Sequence, residues 1–417
     1  MRLMPDSAAP GAVTRRRVSW RGWRLGYPRR LGHRRRTWLA AAAAAVAVGV
    51  TLVAVRSAGQ SATPPAAAAS GVPEYYVALS PVPELGFFSS AAVAVVGDTF
   101  TGRRVATVAA PKGWGFGSVT AAGDDRTFVL VVEPRSSSQQ PVVTRWYLLR
   151  LTPGAAHPAT LRQLPIPPQS LFATAFTAVV SPDGSMLAIA SETEPPVTGL
   201  RVYSTVTGAL LNTWSESPSE LRAIQTLGPV SWTSGGRQLT FQTIAAGTGT
   251  AVVRLLPAGD PGHDLLADSR AVFSFPAGLT SPHNCVDGFL VAGNGKTVVC
   301  GSAVQAGEPA GDTGSRACPA YARPFTTSVR QFSAVTGKLT GMLYQAGVAC
   351  QMEGDLGLFW SNDAGTAVLG YFGHSSAGQS GSPQLTVGRF GLFTGGEFTP
   401  LPAPLESDQG YPSTTAW

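Results

Sequence analysis

The stretch Ala178–Ser191, AVVSPDGSMLAIAS, reads as strand, tight turn, strand: apolar Ala178–Val180, a two-residue turn at Asp183-Gly184, then apolar Met186–Ala190. Four other stretches share this shape. They are Val119–Val132 (turn at Asp124-Asp125), Val230–Gln242 (Gly235-Gly236), Phe289–Gly301 (Asn294-Gly295) and Leu358–Tyr371 (Ala364-Gly365). A second hairpin follows each, often turning at Thr-Gly, so a four-stranded unit recurs roughly every 50–60 residues, the sequence mark of radially repeated sheets. The fold class is therefore all-β: a β-propeller of six four-stranded blades. Seven is the alternative if Val272–Phe275 and its neighbours supply extra strands.

Within the 417 residues, Gly (48) and Pro (33) are plentiful and only 13% of residues are charged, which suits many short strands joined by turns around a large interior. The net charge of +7 is misleading as a global figure. Residues 1–37 carry eleven Arg against Asp6 alone, and the rest of the chain has twenty basic and twenty-three acidic residues, a net of −3. The basic charge sits in a tail beside an apolar span, so a nucleic-acid partner is excluded.

That tail, with Arg15–Arg17, Arg29-Arg30 and Arg34–Arg36, is expected to be a disordered cytoplasmic segment on anionic lipid. Trp38–Val55 is 18 residues without a charge. At 1.5 Å per residue it makes ~27 Å of helix, enough to cross a hydrocarbon core, so the bilayer is a partner through residues 38–55. Arginine crowds its N-terminal side while Arg56 stands alone after it. The positive-inside rule then places the N-terminus in the cytoplasm and the propeller outside. A cleaved signal peptide is the competing reading, since Arg35-Arg36-Thr37-Trp38-Leu39 has a twin-arginine character. Residues 56–73 form a Pro/Ala-rich linker, and the propeller occupies residues 74–417. The chain is expected to be a monomer.

Tyr75–Leu79, Ala91–Val96 and Arg104–Ala109 have the patterns of the second, third and fourth strands of a blade, which leaves the first blade without its innermost strand A. Ser413–Trp417 resembles the end of such a strand, so the C-terminal segment is expected to pair with the first blade and close the ring, removing an exposed edge. Strand alternation then places three longer insertions, Pro134–Val142, Ser302–Ser328 and Gly373–Pro383, at one face, and the tight A–B and C–D turns at the other. Long loops on a rigid scaffold are where binding usually sits.

Cys285, Cys300, Cys318 and Cys350 fall in one window at that loop-bearing face. An even number in an extracytoplasmic domain reads as two disulfides with three possible pairings, of which Cys300–Cys318 with Cys285–Cys350 is the one favoured by position. A zinc site is the rival reading, but no C-x-x-C pair exists and His283 is the only nearby imidazole, so neither a metal nor another cofactor is expected.

For catalysis the five His (33, 157, 263, 283, 374) are scattered. Gly373–Gly378 misses the G-x-S-x-G spacing and reads as a loop; Gly113–Gly117 is Gly-rich but opens a blade; and Asp124, Asp183 and Asp363 sit at turns, where carboxylates bond their own backbone. No catalytic residue is assigned and the chain is not expected to be an enzyme. The function read from this pattern is a binding or scaffold module for a protein or cell-envelope component; the alternative is a hydrolase or lyase with its site at the central channel.

Ser181–Ala190 together with the later Thr-Gly turn is similar to WD-repeat and Tol-type periplasmic propellers. The run of Tyr75–Leu79, Thr120–Leu130, Leu200–Gly208, Ser231–Leu239 and Phe393–Pro402 resembles a family of single-pass membrane proteins from high-GC Gram-positive bacteria, a resemblance that implies fold and placement but no reaction.

Overall fold

The computed structural model describes residues 71–80, 91–135, 142–171, 176–193, 197–216, 224–233, 235–245, 250–276, 285, 289–305, 323–346, 349–351, 356–377, 383–402 and 415–417. The Arg-rich tail, the apolar span 38–55 and the linker up to residue 70 lie outside them. No helix among the described residues is long and apolar enough to cross a membrane.

The repeat predicted from the turns is present six times. Blade 1 holds β1 (Tyr75–Ser80), β2 (Val93–Asp98) and β3 (Arg104–Ala109); blade 2 holds β4 (Trp114–Ala121), β5 (Thr127–Pro134), β6 (Val142–Leu151) and β7 (Ala159–Gln163), with β8 (Gln169–Leu171) added against β6. Blade 3 holds β9 (Phe176–Val180), β10 (Met186–Thr193), β11 (Val197–Ser204) and β12 (Leu210–Ser215); blade 4 holds β13 (Ile224–Trp232), β14 (Gln238–Ala245), β15 (Thr250–Pro257) and β16 (Arg270–Pro276). Blade 5 holds β17 (Phe289–Val291), β18 (Thr297–Gln305), β19 (Arg323–Ser333) and β20 (Leu339–Gln345), with β21 (Ala349–Gln351) against β19; blade 6 holds β22 (Leu356–Ser361), β23 (Ala367–Ala377), β24 (Pro383–Thr394) and β25 (Glu397–Pro400). Finally β26 (Thr415–Ala416) returns to blade 1.

The seven-blade alternative fails on β16. Val272 and Phe275 belong to the outermost strand of blade 4, paired with β15, and the connection from Pro257 to Arg270 spends twelve residues before that strand begins.

The expected closure is present: β26 pairs antiparallel with β1, Ala416 opposite Val77 and Thr415 opposite Ala78. Alternation along β1 shows how each sheet serves two neighbours. Val77 and Leu79 pack with Phe128, Leu130 and Val132 of blade 2, while Tyr76 and Ala78 pack with Leu369, Tyr371 and Phe390 of blade 6. Six such clusters exist, one at each junction between blades, so the interior is a ring of six interfaces. Trp417 fills the last one, against Phe359 (5.2 Å between ring centres), Phe390 (5.5 Å) and Tyr76 (5.9 Å).

The outer rim carries a second set of links. The C–D turn of a blade reaches back over the outermost strand of the blade before it. Gly208 of blade 3 lies on Pro165 behind blade 2 and has φ +74°, a conformation and a proximity that together leave no room for a side chain. Ser215 bridges Asp264 of blade 4, Tyr344 bridges Gly396 of blade 6, and Gly102 of blade 1 sits on Pro402 behind blade 6. The closing junction is thus fastened at both its inner and outer ends.

Candidate functional site

The two faces of the disc differ as the strand directions require. At one, the A–B turns repeat a single hydrogen-bonding scheme: Ser181 N–H donates to Met186 O and Gly184 N–H to Ser181 O, with the same pattern at Thr233, Ala292 and Asn362. The turn aspartates serve this scheme. Asp183 accepts from Ser181 Oγ (2.6 Å), Ser185 N (3.0 Å) and Ser185 Oγ (2.7 Å); Asp124 accepts from Arg126 N (3.0 Å), Thr127 N (2.8 Å) and Thr127 Oγ1 (2.7 Å). Burial alone would raise the Asp183 carboxyl, but these donors hold it below the usual carboxylate range. These acids are turn-builders, as their positions predicted.

The opposite face is less loop-like than expected. The ladder between β18 and β19 continues through Ser302↔Ser328 to Gln305↔Phe325, and that between β23 and β24 through His374↔Thr386 to Ala377↔Pro383. The Gly373–Gly378 stretch, expected to be a loop, is strand as far as Ala377; an extended strand has no nucleophile elbow. Residues 136–141, 306–322 and 378–382 of the three insertions lie outside the described residues.

The cysteine pairing is corrected here. Cys285 is bonded to Cys300, with 5.0 Å between their Cα atoms, and both are buried in the blade 4–blade 5 interface. Cys300 lies midway along β18, opposite Phe289 of β17, so the residue preceding β17 by four positions is its neighbour. The expected Cys300–Cys318 and Cys285–Cys350 bonds are therefore wrong. Cys350 lies in β21 opposite Pro324, and Cys318 lies outside the described residues.

Among the described residues of this face, the end of blade 2, at strands β4, β5 and β6, brings charged and aromatic side chains together. Gly117 forms a bulge in innermost β4 between Phe116 and Ser118, and the Glu133 carboxylate from β5 lies across it. A side-chain carbon at position 117 would sit 2.8 Å from Glu133 Oε1, so glycine is what lets the acid reach inward over the strand that borders the channel. Burial pushes the Glu133 carboxyl above the ordinary glutamate range, and no cation contributes to that shift. Glu133 has no hydrogen-bond or ion-pair partner among the described residues.

On the other side of the same sheet end, the Arg145 guanidinium stacks over the Trp114 indole, 4.2 Å from the ring centre. Arg135 closes the corner by donating from Nε to Trp114 O (2.7 Å) and from its backbone N–H to Gly113 O (3.2 Å). Blade 1 clamps β4 from the side through Ala91 and Phe116, which exchange two backbone hydrogen bonds of 2.8 Å. The Gly113–Gly117 run, which the sequence suggested only as the opening of a blade, thus makes room for a carboxylate instead of cradling a phosphate. Neither Glu133 nor Arg145 has a sequence signal of its own; their surroundings appear only when three strands meet.

Among the described residues no group of three or more His, Cys, Asp or Glu could hold a metal ion. His157 and His263 lie in C–D connections at the other face, His374 is in β23, and His33 and His283 lie outside the described residues.

No family model matches the chain, and no curated protein matches it. The expected likeness to a single-pass membrane family of high-GC bacteria consequently has no support. Solved structures share the fold. An oligogalacturonate lyase in complex with manganese has 14% identity over 73% of this chain and 74% of its own, with a TM-score of 0.38. The periplasmic gluconolactonase of Pseudomonas aeruginosa has 14% identity over 78% and 99%, with a TM-score of 0.35. A TolB-type protein from Agrobacterium tumefaciens has 11% identity over 78% and 88%, with a TM-score of 0.37, in keeping with the Tol-type resemblance. Likeness at this level concerns the fold alone. It does overturn one expectation: enzymes are built on this propeller, so the view that the chain is not an enzyme is withdrawn.

Proposed function

We propose that the protein is a propeller enzyme of the hydrolase or lyase kind, with its site at the channel mouth on the loop-bearing face and Glu133 as its acid–base group. One observation carries this reading: a half-buried carboxyl, raised by desolvation and without a partner among the described residues, reaching over a glycine bulge in the strand that borders the channel. A carboxyl poised above its normal range is suited to give or take a proton near neutral pH. The test is turnover by the full chain in detergent, offered oligouronates and aldonolactones, the substrate classes of two proteins with this fold. Glu133→Gln should abolish turnover without lowering the thermal transition; unchanged turnover in that variant would refute the assignment.

A second reading, the binding or scaffold module, is favoured by apolar residues left open on the outermost hairpins of two blades: Val206, Leu210 and Leu211 in blade 3 and Val335, Leu339 and Met342 in blade 5. Capture of a protein lost on Leu210→Glu but not on Glu133→Gln would favour it.

For placement, we propose that residues 38–55 anchor the chain with the propeller outside the cytoplasm. The arginine asymmetry supports this orientation, and the Cys285–Cys300 bond is the chemistry of an oxidising compartment. Protease added to intact cells should remove residues 74–417 if the orientation is right, and spare them if it is reversed.

A further inference from the structure

Arg145 and Arg135 stand at one strand end with no acid paired to them among the described residues. Arg126 makes its ion pairs, with Glu74 and Asp125, at the opposite face. Arg145 has an unusual hold. Its Nε is covered and has no acceptor, neither Nη makes a hydrogen bond to a described residue, and the indole of Trp114 lies under the guanidinium plane. Stacking of this kind removes the freedom of a long side chain while leaving the outer edge of its fork open, and a planar fork of N–H donors matches two coplanar anionic oxygens. Arg135 is tied to Trp114 O, so the two cations are fixed to the two ends of one residue.

We propose that the Trp114–Arg145–Arg135 corner of blade 2 is an anion subsite, where Arg145 binds a carboxylate or phosphate carried by the ligand. The proposal rests on the reading of this strand end as the site, and deepens it by naming the ligand as acidic. The division of labour follows from the sheet. Glu133 and Arg145 occupy neighbouring positions on opposite surfaces, Val132 lying opposite Arg145 and Glu133 opposite Gly115, so the anion is held on one side while the acid remains unneutralised on the other. Had the guanidinium lain against Glu133, the carboxyl would be pulled down, and it is not.

The test uses the full chain in detergent and three probes: sodium galacturonate, galactose, and inorganic phosphate, titrated by calorimetry in the millimolar range. Galacturonate and galactose share a ring and differ in charge, so their ratio isolates the anionic contact. A hydrogen-bonded charge pair of this type is worth about tenfold or more in affinity. The expected result is that galacturonate binds at least that much more tightly than galactose, and that Arg145→Ala removes the difference. Arg145→Lys, which retains charge but loses the fork, should recover only part of it, and this variant also answers the concern that truncation perturbs the fold. Phosphate binding that Arg145→Ala abolishes, without a galacturonate preference, would support the subsite with a phosphoryl group as its anion. Equal binding of galacturonate and galactose with no phosphate binding would overturn it, as would any anion binding that survives Arg145→Ala. Glu133→Gln separates the two claims: it should retain anion binding while losing turnover, so turnover that survives in this variant overturns the acid–base reading and leaves the subsite standing, whereas a wild-type chain that turns over substrate but binds no anion overturns the subsite alone.

Discussion

Replacing Trp417 by alanine tests the closure of the ring at the point where it depends on a single side chain. The indole is 7% exposed and touches rings on both sides of the blade 6–blade 1 junction. Truncating a buried Trp to Ala costs about 3–5 kcal/mol. Removing 415–417 altogether also deletes the two residue pairs with Val77 and Ala78, at about 1 kcal/mol for each hydrogen bond lost. The total, about 5–7 kcal/mol, is comparable with the roughly 5–15 kcal/mol that holds a domain folded. Trp417→Phe should behave differently. The indole N–H has no acceptor among the described residues, so phenylalanine forfeits area and no hydrogen bond, and the cost should be about 1–2 kcal/mol. Equilibrium denaturation in guanidinium measures all three variants. A cost below about 1 kcal/mol for Trp417→Ala, or an equal cost for Phe and Ala, would show that closure does not depend on this packing.

Glu133→Gln should stabilise the protein at neutral pH, since a carboxyl raised in the folded state favours the protonated form; the gain should vanish as pH falls below the unfolded glutamate range, and thermal melts at two pH values read the sign. Asp183→Ala should cost about 1 kcal/mol near pH 7, by analogy with a lost capping residue, and less in acid, because a carboxyl held low contributes above its unfolded pKa and loses that contribution as pH drops through the folded one; the group is exposed, so added salt should trim the effect. Peptide mapping without reductant should recover Cys285 joined to Cys300, with Cys318 and Cys350 left to each other as a second pair; a Cys300–Cys318 peptide would contradict the structure. Gly262→Ala should destabilise by about 1–3 kcal/mol, because the added methyl meets the Trp214 indole where blade 4 overlaps blade 3; an unchanged midpoint would mean that this link gives way freely.

The propeller was legible because its A–B turns are chemically alike and evenly spaced. Asp183-Gly184, Asn294-Gly295 and Ala364-Gly365 each mark a hairpin, and the missing inner strand of blade 1 identified Thr415-Ala416 as its replacement. Strand β16 escaped because the twelve residues between Pro257 and Arg270 are spent on a loop that bridges to Ser215, which stretches the usual C–D spacing. The disulfide escaped because pairing depends on which strands adjoin, and β18 runs five residues beyond Cys300. The candidate site was hidden for a related reason. Glu133 is an ordinary acid near an insertion until the bulge at Gly117 reveals where its carboxylate goes, and Arg145 looks like a strand arginine until Trp114 lies beneath it. Local periodicity reports what a residue is built into; it does not report what two surfaces of one sheet present at their common end.

The backward reach of the C–D turns imposes an order of assembly. A blade has its outer strand covered only after its successor exists, so during synthesis each sheet waits for the next to emerge before it is sheltered. The first sheet waits longest, since its innermost strand is residues 415–416. Every earlier species carries an open edge at β1, an invitation to pair with another chain, and a cell making this protein would need to keep that edge occupied until residues 415–416 emerge.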